Sequence, residues 1–218
     1  MTKCLKFSSL LLRENLLVLL AFASVILTGC LFTGVPSGAK NLFATYYGMF
    51  PFMYLLTVFI LSFAWCTSTL NLGLAYGCRR RDFFLATQVQ VILYILFGWT
   101  LNQVMLAIPQ LNDWHNSNLR MMALFDLPLP LYILLTAALF LLGCSLGPLY
   151  LRSRIIGSIM LASIMLLGIG ITTAILFLSD YPSQIQVHLS MILSVCLFLI
   201  ICTCEIFLYR FIYKATVR

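Results

Sequence analysis

Glu205 is the residue of this sequence with the clearest capacity for chemistry inside an apolar core. It lies in the last long apolar stretch, about two helical turns from the end of that stretch, and Arg210 follows it. An ionisable side chain at membrane depth is costly and by default indicates a functional site. Two plainer explanations stay open: the carboxylate could extend to the membrane interface, or it could pair with an arginine of a neighbouring loop.

A second group of polar side chains lies in the third apolar stretch. On a helical projection its members fall within about a third of the circumference; they are Gln88, Trp99, Asn102 and Gln103. Amides in hydrocarbon need hydrogen-bond partners or water. The group could therefore face a translocation path, together with Glu205, or it could join helices by hydrogen bonds. So little charge in the core suits an apolar or amphipathic cargo better than an inorganic ion.

Motifs of enzymatic chemistry are missing from the sequence. It contains no HExxH, no GxSxG and no G-x-x-x-x-G-K-[ST] phosphate loop, and His115 and His188 have no second ligand at metal spacing. Its eight cysteines lie in or beside apolar runs, so we expect them to be reduced and structural. We therefore predict no catalytic residue, no metal site and no cofactor in this chain.

Composition places the chain in a membrane. It is 62% hydrophobic and 9% charged, whereas soluble domains carry about 25% charged residues. A polytopic membrane protein with lipid as its main surroundings is the simplest interpretation. The net charge of +7 then reflects basic residues at the cytoplasmic side rather than a nucleic-acid partner.

Six apolar segments predict an all-α polytopic fold with a single transmembrane domain over 1–218. Each segment is long enough for a helix through about 30 Å of hydrocarbon, and none alternates as a barrel strand would. Residues 1–14 form a moderately amphipathic pattern, which predicts a helix in the membrane interface or, more simply, a frayed basic leader. The predicted spans are 15–34, 43–70, 84–108, 127–149, 155–178 and 187–212.

Basic residues predict the orientation. If both termini are cytoplasmic, only Lys40 and Arg120 lie outside, and the other eleven of the thirteen lysines and arginines lie inside. This asymmetry is what the positive-inside rule requires. The inside residues are Lys3, Lys6, Arg13, Arg79, Arg80, Arg81, Arg152, Arg154, Arg210, Lys214 and Arg218.

Three consecutive arginines occupy the predicted internal segment 71–83. They could anchor a loop at the membrane surface, or they could dock a cytosolic protein through their planar donor groups. The missing phosphate loop favours docking if transport is driven by ATP, because another polypeptide must then hydrolyse the nucleotide.

The layout and one short motif resemble the transmembrane subunit of type-2 ABC exporters, the ABC-2 permease family of bacteria. The shared features are an interfacial helix, six spans without a nucleotide domain, and the stretch LNLGLAYGCRRRDFFLATQ at residues 70–88. In that family this junction is a coupling helix that docks in a groove of the ATPase subunit. The resemblance thus assigns docking to Gly77, Arg79, Arg80, Arg81, Asp82, Phe83 and Phe84.

The resemblance implies an exporter subunit in a bacterial cytoplasmic membrane, paired with a second permease protomer and with ABC ATPases that hold ATP and Mg. It further implies an amphipathic or antimicrobial peptide, or a drug-like molecule, as cargo. The link between the last two spans, 179–186, is shorter than the external cap of larger members. Two rival functions stay open: an ATP-independent carrier or channel that uses Glu205, and a membrane scaffold that only recruits a cytosolic partner.

Overall fold

Five long helices make up the part of the chain that the computed structural model describes, residues 37–70, 77, 79–107, 126–178 and 183–214, with residues 13, 17, 20, 21 and 24. No strand occurs within these ranges. The first helix ends in a π-helical turn, Trp65–Thr69. The helices are α1 (Ser37–Ala64), α2 (Arg80–Leu106), α3 (Leu129–Arg152), α4 (Arg154–Leu178) and α5 (Ser183–Lys214).

Four helical segments are long and apolar enough to cross a membrane, as judged over the described residues. They are Tyr47–Thr67, Arg80–Leu106, Leu129–Arg152 and Ser190–Ile212. Helices satisfy their own backbone hydrogen bonds, which is what a lipid environment demands. The structure is therefore that of an all-helical membrane protein.

The remaining predicted segments have different outcomes. Helix α4 covers the predicted span 155–178. The predicted span 15–34 and the interfacial segment 1–14 lie outside the described residues, apart from five isolated helical positions. Some helices extend beyond the predicted spans, because polar turns continue a helix beyond its apolar window: α1 begins at Ser37 and the predicted span at 43, and α2 begins at Arg80 and the predicted span at 84.

Helix α3 lies at the centre of the bundle. It packs against α1, α2, α4 and α5, and its small residues let α1 approach closely. A Cβ atom added to Gly143 would lie 2.6 Å from the carbonyl oxygen of Phe59, and one added to Gly147 would lie 3.1 Å from the Cγ2 atom of Thr67. This close approach is what the Gly143-xxx-Gly147 spacing of small residues permits.

Aromatic contacts show which helix ends lie together. Phe63 near the end of α1 packs edge-on against Tyr150 near the end of α3, with ring centroids 5.6 Å apart. Phe84 near the start of α2 packs against Tyr209 near the end of α5, at 5.7 Å. This end of the bundle, here called the basic end, carries Arg79, Arg80, Arg81, Arg152, Arg154 and Arg210.

The described cysteines are unpaired thiols, as predicted. Cys66, Cys144 and Cys204 are buried, whereas Cys196 is exposed and Cys202 lies between these extremes. Each occupies a helix in the apolar bundle, where a thiol packs as a small hydrophobic group.

Candidate functional site

The first turn of α2 is fixed to the end of α1 by an aromatic stack. Phe83 is only 1% exposed, and its ring lies on the indole of Trp65 with centroids 5.2 Å apart and an interplanar angle of 18°. Trp65 begins the π-helical turn, a widened helical geometry that often occurs at functional sites. The stack joins the π-helical turn rigidly to the helix that carries the arginines.

A short hydrogen-bond chain reinforces this stack. The indole Nε1 of Trp65 donates to the Oγ1 of Thr87 at 3.1 Å. The same hydroxyl donates to the carbonyl oxygen of Phe83 at 3.0 Å. Thr87 is fully buried, where polar groups need hydrogen-bond partners. Its hydroxyl accepts from the indole N–H and donates to the carbonyl, so both buried donors have an acceptor.

The arginines lie at the exposed start of α2. Arg79 is the extended N-cap residue, and both Arg79 and Arg81 are exposed, while Arg80 is partly buried. The first helical hydrogen bond runs from the backbone N–H of Phe83 to the carbonyl of Arg79, at 3.0 Å. Asp82 in this first turn offsets the unfavourable placement of cations at a helix N-terminus.

The predicted coupling segment 71–83 is thus only partly a loop. Its last four residues already belong to α2, and residues 71–76 and 78 lie outside the described part of the chain. Gly77 has a φ of +81°, a left-handed backbone that glycine adopts without strain.

The two phenylalanines of the motif pack inside the protein. Phe83 is buried against Trp65, and Phe84 is partly buried against Tyr209. Among the described residues of the motif, the long side chains most open to a partner are therefore those of Arg79 and Arg81, and the phenylalanines hold them to the bundle. Docking by any of these residues stays a prediction.

Gln88 and Glu205 meet in the seam between α2 and α5. The Nε2 of Gln88 donates to the Oε1 of Glu205 at 2.7 Å. Both side chains are partly buried, and Glu205 lies seven residues before the end of the span Ser190–Ile212. The partner of the carboxylate is an amide of a neighbouring span, which differs from both plainer explanations that the sequence left open.

The other polar residues of α2 do not share one environment. Asn102 is 3% exposed and belongs to the packed face, whereas Gln103 is exposed. Trp99 is partly buried and packs against Tyr132 with ring centroids 5.5 Å apart. The four residues therefore straddle the boundary between the packed and the outer face of α2, and a path along them stays a prediction.

No cluster of three or more His, Cys, Asp or Glu side chains that could hold a metal ion occurs within the described ranges.

Sequence reasoning missed Trp65, Thr87 and Tyr209 as structural parts of the site. Only Trp65 carried a usable signal, as a tryptophan at the end of an apolar span.

Comparison with known protein families, with curated proteins and with solved structures found no match to this chain.

Proposed function

We propose that this chain is the transmembrane subunit of an ATP-driven exporter, of the kind that its motif resembles. One observation carries the proposal: exposed arginines lie at the start of a core helix whose fourth residue, Phe83, is stacked on another helix. A partner that moves these arginines also moves α2, because the stack of Phe83 on Trp65 holds the arginine-bearing start of this helix against the core. A loop that served only as a membrane anchor would not need this connection.

The proposed partner is a cytosolic ABC ATPase that supplies ATP and Mg. Exposed guanidinium groups at Arg79 and Arg81 suit carboxylates on its surface, since each offers a planar fork of donors. Arg80 is less accessible and contributes less to this contact.

The proposed function also specifies the number of spans, their orientation, a second protomer and the cargo. Six spans with both termini in the cytoplasm bring the basic end of the bundle to the cytosolic side of a bacterial cell membrane, as the positive-inside rule expects. A second permease protomer completes the translocation path, because a single bundle with so tightly packed a centre leaves little room for cargo. The proposed cargo is an amphipathic peptide or a drug-like molecule.

Affinity purification from the cells in which the chain is native tests this function. The tagged chain is extracted in mild detergent, and its partners are identified by mass spectrometry. We expect a polypeptide with a Walker-type phosphate loop, together with ATP hydrolysis in the eluate. An eluate that lacks both would reject the ATP-driven function.

An ATP-independent carrier is the second candidate, and the Gln88–Glu205 hydrogen bond is the observation that favours it. A polar pair within membrane spans is typical of coupling sites in such carriers. Transport by the chain alone in ATP-free proteoliposomes, abolished in E205A, would support the carrier over the exporter.

A further inference from the structure

Glu205 has no cationic partner in the part of the chain that the structure describes. Among the described residues, its side chain accepts a hydrogen bond from the neutral amide of Gln88. Arg210 is exposed, and five residues along a helix place it well over a quarter turn away from Glu205. Within the described residues the carboxyl group is thus held by a neutral amide and not by a cationic side chain.

A carboxylate within a membrane span is expensive unless a positive charge or a proton joins it. Gln88 lowers this cost only in part, because an amide donor supplies a dipole and no net charge. Its role is to fix the direction of one carboxylate oxygen, Oε1. The structure shows no hydrogen bond to the second oxygen within the described residues, which leaves that oxygen available to a ligand.

Aromatic rings lie one helical turn nearer the basic end of the same seam. Phe84 precedes Gln88 by four residues, and Tyr209 follows Glu205 by four, so each ring shares a helix face with its polar neighbour. The two rings meet edge-to-face at 86°, and Tyr209 is 48% exposed. Aromatic rings beside a carboxylate attract organic cations through the ring quadrupole.

The ligand chemistry follows from this set of groups. Ca²⁺ and Mg²⁺ require about six oxygen ligands, and the described residues hold no cluster that approaches this number. One carboxylate with two rings suits instead a single diffuse positive charge that is attached to an apolar body. Such a ligand also partitions into the lipid that surrounds the exposed face of α5, which includes Phe198 and Ile206.

We propose that the α2–α5 seam at Glu205, Gln88, Phe84 and Tyr209 binds the positively charged group of an amphipathic cation. This inference rests on the proposed transport function, because it makes the cargo cationic. It does not depend on how transport is powered.

Equilibrium dialysis with two probes of the same shape and opposite charge tests the proposal. The purified chain in phosphatidylcholine nanodiscs is dialysed against tetraphenylphosphonium or tetraphenylborate, and empty nanodiscs give the background. We expect specific binding of the phosphonium alone. In E205Q its dissociation constant should rise about tenfold, which corresponds to the loss of one moderate charge contact, whereas E205D should retain binding.

Two further variants separate charge from structure. Y209L removes a half-exposed ring and leaves the carboxylate, so phosphonium binding should weaken about threefold, a modest part of the tenfold step. V104A removes an exposed side chain elsewhere on α2 and should bind as the wild type does. If E205Q does not fold, as judged by gel filtration, the comparison of Y209L with V104A still decides the question.

Three results would overturn the proposal: equal binding of both probes, unchanged binding in E205Q and Y209L, or no specific phosphonium binding by the wild type. Failure here leaves the proposed ATPase partnership intact. Conversely, if binding depends on Glu205 but no ATPase partner is found, the site would support the ATP-independent carrier rather than the exporter.

Discussion

The ring of Phe83 lies on the indole of Trp65, at 5.2 Å and 18° from parallel, and this stack fixes the start of α2 to the π-helical turn after α1. The arginines that precede Phe83 are thereby attached to the core rather than to a free loop. The proposed transmission of movement from a cytosolic partner to α2 depends on this contact.

Replacing Phe83 by alanine should destabilise the bundle by about 3 kcal/mol, because it leaves a cavity beneath Trp65. Unfolding by SDS in mixed micelles, followed by tryptophan fluorescence, measures the change. F198A is the matched control: Phe198 is 57% exposed on α5, so its removal should cost less than about 0.5 kcal/mol. Equal effects of the two variants would refute the buried stack.

Replacing Thr87 by valine should cost about 1–2 kcal/mol, because it keeps the side-chain shape but leaves the buried Trp65 N–H without an acceptor. T87S should retain most of the stability. Thr100, which is exposed and bonds to carbonyls of its own helix, provides the control T100V. In a W65F background the loss of stability caused by T87V should be smaller. A double-mutant cycle of these two substitutions that shows no coupling energy would contradict the hydrogen bond.

Gly143→Ala should destabilise the contact between α1 and α3 by about 2 kcal/mol, because the new methyl group collides with Ser62 and with the Phe59 carbonyl. Gly168→Ala on α4 meets nothing within 4 Å and should be neutral or stabilising by up to about 1 kcal/mol through helix propensity. The same SDS assay compares the two. Close packing of α1 against Gly143 would be contradicted if both substitutions changed the stability in the same direction.

Cysteine labelling of intact cells tests the proposed orientation. A membrane-impermeant maleimide should modify Asp126→Cys, which precedes α3 at the end opposite to the basic end. Arg81→Cys should react only after the cells are permeabilised, since the positive-inside rule places it in the cytosol. The unmodified chain gives the background, and reaction of Arg81→Cys in intact cells would reverse the topology.

Several parts of the fold could be predicted from the sequence because they depend on local patterns. Hydropathy located the helices around 43–70, 84–108, 127–149, 155–178 and 187–212. Hydropathy places the start of the third span at 84 and not at Arg80, because Arg80, Arg81 and Asp82 lie outside any apolar window, although they are helical. The π-helical turn at Trp65–Thr69 has no sequence signal of comparable strength.

In the candidate site, too, the sequence predicts single residues but not the contacts between them. Gln88 and Glu205 were each identified as polar residues at membrane depth, but their hydrogen bond joins positions 117 residues apart. Such a pairing depends on the relative height and rotation of α2 and α5, and one sequence does not encode these in any local pattern. The burial of Phe83 was missed for a related reason, since its partner Trp65 belongs to another helix.

Retention of an ABC ATPase by arginine variants tests the central claim most directly. The triple variant R79A/R80A/R81A should lose the ATPase from the purified complex, as quantified by mass spectrometry. The matched control R152A/R154A/R210A removes the same charge from the same end of the bundle and should retain the ATPase. Loss in the first variant with retention in the second is the predicted result, whereas equal retention in both would contradict docking at the start of α2.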